Sequence, residues 1–511
     1  MFVAFLCLYL LSARGSPPFS DSVPMWEAAV NLVRHGTVAI SVRWPVNAPI
    51  GRNGHLYPVA ALLAVLIHTP GALLYTALSA LAPARAASFV VMTSQLGPLF
   101  VGALTPALLF RLLRQLDYDR HAAAWATLLA GAGTSVWVYA HCPYSEIVQT
   151  ACFTAFLGAL LGAGRSLDRT VLLRVGFMFG LLVNTKNVYV ACLPGALVFL
   201  WAQHRARPRA LVAALAWAAL GATPGFAALA IYNAVRWSSP FSSGYEAVMG
   251  GFWSQNIVWG LWGQLFSPGK SVLLYSPPLV LALFGVRRLV ARRRPVAIAI
   301  ALTVGPIVLV YSRYLFWSGD WAWGPRYLVF ALPVLVIPVA ELLAEPPPLR
   351  RALRFAMPAV LATGMAVQAL GCLIRWDDFM AVAEQAQWAW LGQPDRRGTP
   401  LAPYTCFSCF EEVYGTEWLP PMQPILGHLW LLRHRIAGDD WRVAASDAAW
   451  RRYTSLTLDI RETYDQGGID WWLLGVPPGR RLPAAVAISS LLALAIPRRI
   501  WRNALWPQAP S

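Results

Sequence analysis

The sequence predicts an all-α polytopic membrane protein, a bundle of about 12 transmembrane helices. Of its 511 residues, 57% are hydrophobic and only 13% are charged, whereas soluble domains carry about a quarter charged residues. Long apolar stretches alternate along most of the chain with short joints that are rich in arginine. The 24 tryptophans are typical of a protein that places aromatic residues at its membrane interfaces.

Six arginine clusters predict one orientation of the bundle. Each lies at a joint between two apolar stretches, and one helical hairpin separates each from the next, except that a long polar segment precedes the last. Because arginine accumulates in cytoplasmic loops, we expect all six to face the cytoplasm of an inner (plasma) membrane protein. These cytoplasmic clusters explain the net charge of +17, so the charge does not indicate nucleic-acid binding. The clusters are Arg111/Arg114/Arg120, Arg165/Arg169/Arg174, Arg205/Arg207/Arg209, Arg287 through Arg294, Arg350/Arg351/Arg354 and Arg498/Arg499/Arg502.

The stretches between these joints supply eleven predicted spans. They are 87–110, 122–140, 147–164, 171–185, 188–203, 210–232, 271–286, 296–315, 326–343, 355–372 and 482–497. The twelfth is the apolar N-terminus, Phe2–Leu11, which is short because a crossing helix needs about 20 residues. A cleaved signal peptide is the alternative for this stretch, although it lacks a basic start.

One apolar stretch, Val59 to Leu81, does not fit the alternation. If it crossed the membrane, every arginine cluster would face outward unless the first helix did not cross. We therefore predict that it lies along or re-enters the outer face, so that the loop 14–86 stays outward. Arginines on the outer side run against the usual excess of arginine in cytoplasmic loops, and binding of an anionic ligand is one explanation for them.

Three regions follow from this topology. We predict a transmembrane module at 1–372 that includes the outward loop 14–86, an extracytoplasmic segment at 373–481, and a last helix with a cytoplasmic tail at 482–511. Within the extracytoplasmic segment, Cys406 and Cys409 form the one close cysteine pair. A local disulfide is the favoured interpretation, with a redox or metal site as the alternatives.

The first outward loop carries a candidate catalytic acid, Asp21. A carboxylate just past the first helix, near the membrane surface, can accept a proton from an acceptor hydroxyl, as general-base catalysis requires. Ser20 or Asp21 could equally serve as the N-cap of a helix that starts near Pro24. Both interpretations remain open from the local sequence.

Two ionisable residues mark the next outward joints. Glu146 begins an outward-to-inward helix, where the helix dipole favours an acid, but an ionisable group at membrane depth is also a functional candidate. Lys186 is at the tip of another hairpin and could simply snorkel to the interface. If it faces the same cavity as Asp21, it can pair with a phosphate.

A tryptophan-rich loop, Trp317 to Tyr327, surrounds Asp320 and Arg326 with aromatic residues. A membrane-interface belt explains the tryptophans. It does not explain Arg326 at the start of a helix, where the dipole disfavours a cation. The planar, multi-donor guanidinium makes Arg326 a candidate ligand for a lipid phosphate. Lys270, after Ser267-Pro268-Gly269, is a weaker candidate of the same kind.

In this order, the motifs resemble those of the GT-C membrane glycosyltransferases, in particular the protein O-mannosyltransferase and aminoarabinose transferase branch. The resemblance covers roughly residues 15 to 345. The matching segments are Asp21, Gly54-His55-Leu56-Tyr57-Pro58, Pro143-Tyr144-Ser145-Glu146, Thr185-Lys186, Tyr232-Asn233, Ser243-Gly244-Tyr245, Ser267-Pro268-Gly269-Lys270 and Trp323-Gly324-Pro325-Arg326-Tyr327.

The resemblance implies a GT-C-like bundle with outward-facing surface helices before the second crossing. It also implies that Asp21 is the catalytic base, that Glu146 is a second acid of the site, and that Lys186 and Arg326 hold the phosphate of a polyprenyl-linked sugar. Tyr57, Lys270 and Asp320 lie in the matching or neighbouring motifs and are carried as further substrate-binding candidates. Ser22 and Asp320 depart from the family pattern, which has a second acid after the first and a glycine in the tryptophan-rich loop. Metal use differs among such enzymes, so a divalent cation is left open.

The predicted function is transfer of a sugar from a polyprenyl phosphate to a glycan, lipid or protein acceptor at the extracytoplasmic face. Two alternatives remain. A flippase or transporter of lipid-linked glycans needs charged groups along a path through the bundle and often shows repeated halves, and the sequence shows no such repeat. A ligase or polymerase of surface glycans also uses a lipid donor and a large outward loop, and it would differ in its acceptor.

Overall fold

We analysed a computed structural model of the chain, and it describes an all-helical membrane protein. The described residues are 1–16, 18, 21–41, 48–246, 252–319, 322–343, 347–376, 378–379, 416–418, 423–437 and 469–475. Asp320, the cysteine pair Cys406 and Cys409, and the predicted last span 482–497 therefore lie outside the described residues. The predicted division at 372 and 481 remains a prediction.

Helices follow one another along nearly the whole described chain. They are α1 (Phe2–Leu11), α2 (Ser22–His35), α3 (Leu62–Leu66), α4 (Thr69–Leu81), α5 (Ala86–Gln115), α6 (Arg120–Gly133), α7 (Val136–His141), α8 (Glu146–Arg165), α9 (Arg169–Val183), α10 (Cys192–His204), α11 (Pro208–Trp237), α12 (Ile257–Phe266), α13 (Val272–Tyr275), α14 (Pro278–Arg292), α15 (Arg294–Arg313), α16 (Leu332–Leu335), α17 (Ile337–Leu343), α18 (Pro347–Leu373) and α19 (Pro424–Ala437). Short 3₁₀ turns cover Arg52–Gly54, Pro83–Arg85, Asn187–Ala191, Arg326–Ala331 and Trp472–Gly475.

Within the residues that the structure describes, seven helical segments are long and apolar enough to cross a membrane. They are Leu62–Leu81, Pro83–Gln115, Glu146–Arg165, Pro208–Trp237, Arg294–Arg313, Arg326–Leu343 and Ala352–Leu373, and the shorter apolar helices are Phe2–Leu11 and Ile257–Phe266. The all-α polytopic architecture is thus confirmed. The count of about 12 spans and the placement of Val59 to Leu81 along the outer face remain predictions.

Small residues let the helices approach closely at several crossings. A Cβ atom on Gly176 of α9 would lie 1.8 Å from the Ala218 carbonyl oxygen of α11, and one on Gly221 would lie 2.2 Å from the Leu173 oxygen. Such contacts are the usual means of packing helices in lipid, because lipid supplies no hydrophobic drive between them. The backbones of α9 and α11 therefore approach each other closely along their crossing.

The helices α4 and α5 form an antiparallel hairpin at one end of the bundle. Gly71 approaches the carbonyl of Thr93, and Gly97 approaches that of Ile67. Gln95 in turn hydrogen-bonds the backbone of Arg14, just past the end of α1. The hairpin therefore extends beyond α1 at this end, next to the loop that follows the first helix.

At the opposite end, three of the predicted cytoplasmic joints contact one another. Arg165 donates to the Gln115 carbonyl at 2.9 Å, and Arg293 bonds the adjacent Leu116 carbonyl. Arg293 Nε also lies 2.9 Å from the buried Glu341 carboxylate. The 20 residues of α8 from Glu146 to Arg165 extend about 30 Å at 1.5 Å per residue. That length equals the thickness of a bilayer core.

The first outward loop packs as a small second core against the end of α11. Tyr57, one of the predicted substrate-binding residues, is 6% exposed and contacts the Trp237 ring at 5.9 Å. Arg236 is buried there as well, donates to the carbonyls of Pro58 and Ala60, and stacks 3.7 Å above the Tyr232 ring. These contacts fix the loop on the bundle and account for Tyr57 structurally.

Candidate functional site

Arg326 joins two acids from distant parts of the chain. Its Nη2 donates to Asp21 Oδ2 at 2.6 Å, and its Nε lies 3.1 Å from Glu146 Oε1. Asp21 comes from the first outward loop, Glu146 starts α8, and Arg326 starts a 3₁₀ turn. The structure thus brings together three of the residues that the sequence singled out, Asp21, Glu146 and Arg326, which we call the acid cluster.

Asp21 occupies the N-cap position of α2, but its side chain makes no capping hydrogen bond to that helix. The carboxylate instead contacts Arg326, and the Asp21 side chain is 27% exposed. An N-cap side chain normally accepts from the N2 or N3 amide of its own helix. Of the two interpretations left open by the sequence, capping does not explain this carboxylate.

Glu146 is buried more deeply than Asp21, with a side chain that is 2% exposed. It is the first residue of α8, where the positive end of the helix dipole stabilises its charge. The Arg326 contact is an ion pair without hydrogen-bond alignment, so neither Glu146 oxygen has a hydrogen-bond partner among the described groups. A buried carboxylate oxygen that accepts no hydrogen bond costs free energy unless a ligand or a water molecule donates to it.

Lys186 lies over a pair of stacked tyrosines. The rings of Tyr311 and Tyr327 are parallel at 4.2 Å, and the Lys186 ammonium is 4.8 Å from the Tyr327 centroid and 5.4 Å from that of Tyr311. Burial lowers the pKa of Lys186 to about 8, against the attraction of Glu146. Lys186 therefore lies within electrostatic range of the acid cluster.

Two further tyrosines adjoin the cluster. The Tyr144 ring lies 5.3 Å from the Arg326 guanidinium, a cation–π distance. Burial raises the pKa of the Tyr245 hydroxyl, and the charge of Asp21 raises it further. Tyr311 has no local sequence signal, because it lies inside an apolar helix, and only the fold reveals it.

The remaining predicted residues lie elsewhere. Lys270 is fully buried, donates to the Ala322 carbonyl at 2.6 Å and sits 4.7 Å from the Trp376 ring. Its charge also faces Glu417, whose pKa burial raises to about 7. These contacts tie it to the tryptophan-rich loop rather than to the Arg326 cluster. Tyr57 belongs to the second core, and Asp320 lies outside the described residues.

The cluster does not fit a divalent metal. The two carboxylates meet across a guanidinium, so the position between them is already taken by a cation. Nor does the described part of the chain bring three or more His, Cys, Asp or Glu side chains together in a group that could hold a metal ion. Carboxylate-rich sites for Mg²⁺ or Mn²⁺ rely on several oxygen ligands around the ion.

Solved structures share the fold of this chain. An oligosaccharyltransferase from Archaeoglobus fulgidus in the apo form superimposes with a TM-score of 0.51 at 11% identity, over 84% of this chain and 62% of that one. ArnT from Cupriavidus metallidurans bound to undecaprenyl phosphate matches with a TM-score of 0.48 at 15% identity, over 83% and 75%. No family model and no curated protein matches the chain. The likeness to the oligosaccharyltransferase is one of fold, and it confirms the predicted GT-C-like architecture.

Proposed function

We propose that the protein transfers a sugar from a polyprenyl phosphate to an acceptor at the extracytoplasmic face of the membrane. The observation that carries the proposal is the pairing of two acids, Asp21 and Glu146, on Arg326, with Lys186 beside them. Two acids and two cations leave the site close to neutral. The fold shared with an oligosaccharyltransferase supports the same class of reaction.

Asp21 is the better general base of the two acids. Its side chain is 27% exposed against 2% for Glu146, and a base must reach the proton that it removes. In the proposed reaction, an acceptor hydroxyl gives its proton to Asp21 while its oxygen attacks the anomeric carbon. The bond from that carbon to the phosphate oxygen breaks, and the configuration at the carbon inverts.

The leaving group is the polyprenyl phosphate, which departs with a negative charge. Lys186 supplies a point charge and Arg326 a planar, multi-donor head, and both suit phosphate oxygens. Arg326 would have to turn part of its donor set from Asp21 toward the phosphate. That exchange would release the Asp21 oxygen to accept a proton, so donor binding and base activation are linked in the proposal.

The outward orientation of the site is supported by the two ends of α8. Glu146 is in the acid cluster, whereas Arg165, about 30 Å away along the helix, contacts Gln115 among the arginine-rich joints. If those joints face the cytoplasm, the acid cluster lies at the extracytoplasmic surface. Glycan, lipid and protein acceptors are all compatible with this position.

The test uses membranes that contain the chain and a polyprenyl-phosphate sugar carrying a radiolabel. We expect Asp21→Asn to lower transfer by at least about 100-fold, within the range for loss of a general base. Asp117→Asn is the matched control, because Asp117 pairs with Arg165 at the opposite end and is 77% exposed. Normal transfer by Asp21→Asn would contradict the assignment, and movement of the donor across proteoliposomes without a covalent product would favour a flippase.

A further inference from the structure

The outer end of α1 is capped by residues from far along the chain. We call Ile469–Gly475 the C-terminal clip. The indole Nε1 of Trp471 donates to the Leu11 carbonyl at 2.6 Å, and that of Trp472 donates to the Leu10 carbonyl at 2.8 Å. A helix leaves its last carbonyls without partners of its own. The clip supplies indole donors to two of these carbonyls, of which that of Leu10 also accepts from the Ala13 amide, at the point where the first helix reaches the outward loop.

Asp470 continues this contact into the loop itself. Its carboxylate lies 3.1 Å from Arg14 Nε and accepts hydrogen bonds from Gly15 N at 2.9 Å and Ser16 Oγ at 3.0 Å. The pair is buried, with side-chain exposures of 7% for Arg14 and 1% for Asp470. The backbone amide of Asp470 donates to the Leu373 carbonyl at 2.7 Å, so the end of α18 supports the clip from behind.

Among the described contacts, Gln95 and Asp470 both hold Arg14, and Asp470 continues toward the acid cluster. Gln95 fixes the Arg14 backbone through two hydrogen bonds. Asp470 also accepts hydrogen bonds from the next two residues, Gly15 and Ser16, and Ser16 precedes Asp21 by five positions. The link between them includes prolines at 17 and 18, and proline restricts both its own backbone and that of the residue before it. A fixed Ser16 therefore narrows the positions that Asp21 can reach.

We propose that Asp470 is a positioning residue for Asp21. By holding residues 14–16, it keeps the first outward loop in the arrangement in which the Asp21 carboxylate meets Arg326. The extracytoplasmic segment thus completes the site from its distal end. This inference rests on the proposed function for its catalytic consequence, whereas the hold on the loop is a structural statement that can be tested without turnover.

The expected signature is a defect in rate with little defect in donor binding. Asp470 contacts neither Lys186 nor Arg326 in the described structure, so the phosphate ligands stay in place when it is changed. A displacement of about 1 Å in a catalytic group can cost about 100-fold in rate. We expect Asp470→Asn to lower kcat at least about tenfold while KM for the lipid donor stays within about twofold.

The experiment compares Asp470→Asn with Asp378→Asn in the full-length protein, by hydrogen exchange and by turnover. Asp378 pairs with Arg435 in the same part of the chain but has no described contact with residues 14–21, which makes it a matched control. The Gly15 amide is a direct reporter, because it donates to Asp470. We expect exchange in peptides covering 12–24 to rise in Asp470→Asn alone, together with the loss of kcat.

Unchanged exchange in those peptides would overturn the inference whatever the turnover. Faster exchange with a normal kcat would overturn the positioning role. Wild-type protein that transfers no sugar would remove the proposed function, and exchange would then decide separately whether the clip holds the loop. If Asp470→Asn does not fold, Ser16→Ala removes a single Asp470 contact without leaving a charge unpaired. It should produce the same pattern at smaller amplitude, and a wild-type pattern would count against the proposal.

Discussion

Arg326 is the residue on which the electrostatic balance of the cluster depends, and Arg326→Gln provides a quantitative test. The substitution leaves Glu146 at 2% exposure without its described cation, and breaking a buried pair from one side costs about 3–5 kcal/mol of stability. Asp21 is 27% exposed, so losing its pair adds at most about 1 kcal/mol. Lys186 still attracts Glu146, which moves the expected total toward the lower end, about 3 kcal/mol.

A second change reveals the origin of that cost. Glu146→Gln removes the buried charge that Arg326→Gln leaves without its arginine. The double variant Arg326→Gln/Glu146→Gln should therefore have a free energy of unfolding about 2 kcal/mol higher than Arg326→Gln alone. The assay is the thermal unfolding midpoint of the purified protein in one detergent at one heating rate. Arg313→Gln serves as the control, because Arg313 is an arginine at a helix end that bonds only a backbone carbonyl among its described contacts. Additive losses in the double variant would refute the assignment of a buried, mutually neutralised pair.

Three further predictions concern charge at the site and at the opposite end of the bundle. Because the pKa of Lys186 is lowered to about 8, its charge is present below that pH and lost above it. KM for the lipid donor should therefore rise by up to about tenfold per pH unit above pH 8. In Lys186→Arg, KM should change little with pH over the same range. The same rise in that variant would argue against Lys186 as the phosphate ligand. Glu341 is buried between Arg293 at 2.9 Å and the Tyr118 hydroxyl at 2.5 Å. Glu341→Gln should therefore destabilise the protein by about 3 kcal/mol and leave turnover at low temperature unchanged. Reduced turnover at low temperature would show that Glu341 and its partners take part in the mechanism. Finally, because a guanidinium occupies the space between the two acids, treatment with a chelator should leave the rate of sugar transfer within about twofold of the untreated rate. Loss of transfer with the chelator and its recovery with Mn²⁺ would contradict that geometry.

The boundaries of the helices that frame the site were largely predictable from the sequence. The start of α8 at Glu146 and the turn that begins at Arg326 follow from apolar runs that end at polar joints, and both can be located without any tertiary contact. That the acids and the arginine would share one side of the membrane followed from the parity of the arginine clusters. Their direct contact could not follow, because Asp21 and Arg326 are 305 residues apart.

Other features depend on packing and left no periodic signal. Tyr311 reads as one more aromatic residue in an apolar helix, although it stacks on Tyr327 at 4.2 Å beneath Lys186. Lys270 was grouped with the phosphate ligands because of its motif, yet its ammonium faces the Ala322 carbonyl and Glu417. A lysine in a loop is equally consistent with a ligand and with a structural tie, and only its neighbours distinguish the two.

The clip shows most clearly how such long-range contacts bear on the chemistry. Arg14 appeared in the sequence as a cation on the unfavoured side of the membrane, for which an anionic ligand was one explanation. The structure supplies an internal anion in Asp470, 456 positions further along the chain. A buried ion pair of this kind is weak as a source of stability, because desolvation offsets much of the attraction. Its contribution is geometric, because it fixes where the first outward loop begins. The same reasoning distinguishes Arg14, whose charge is paired with Asp470, from Arg326, which contacts both acids and for which we propose a further contact with the lipid phosphate.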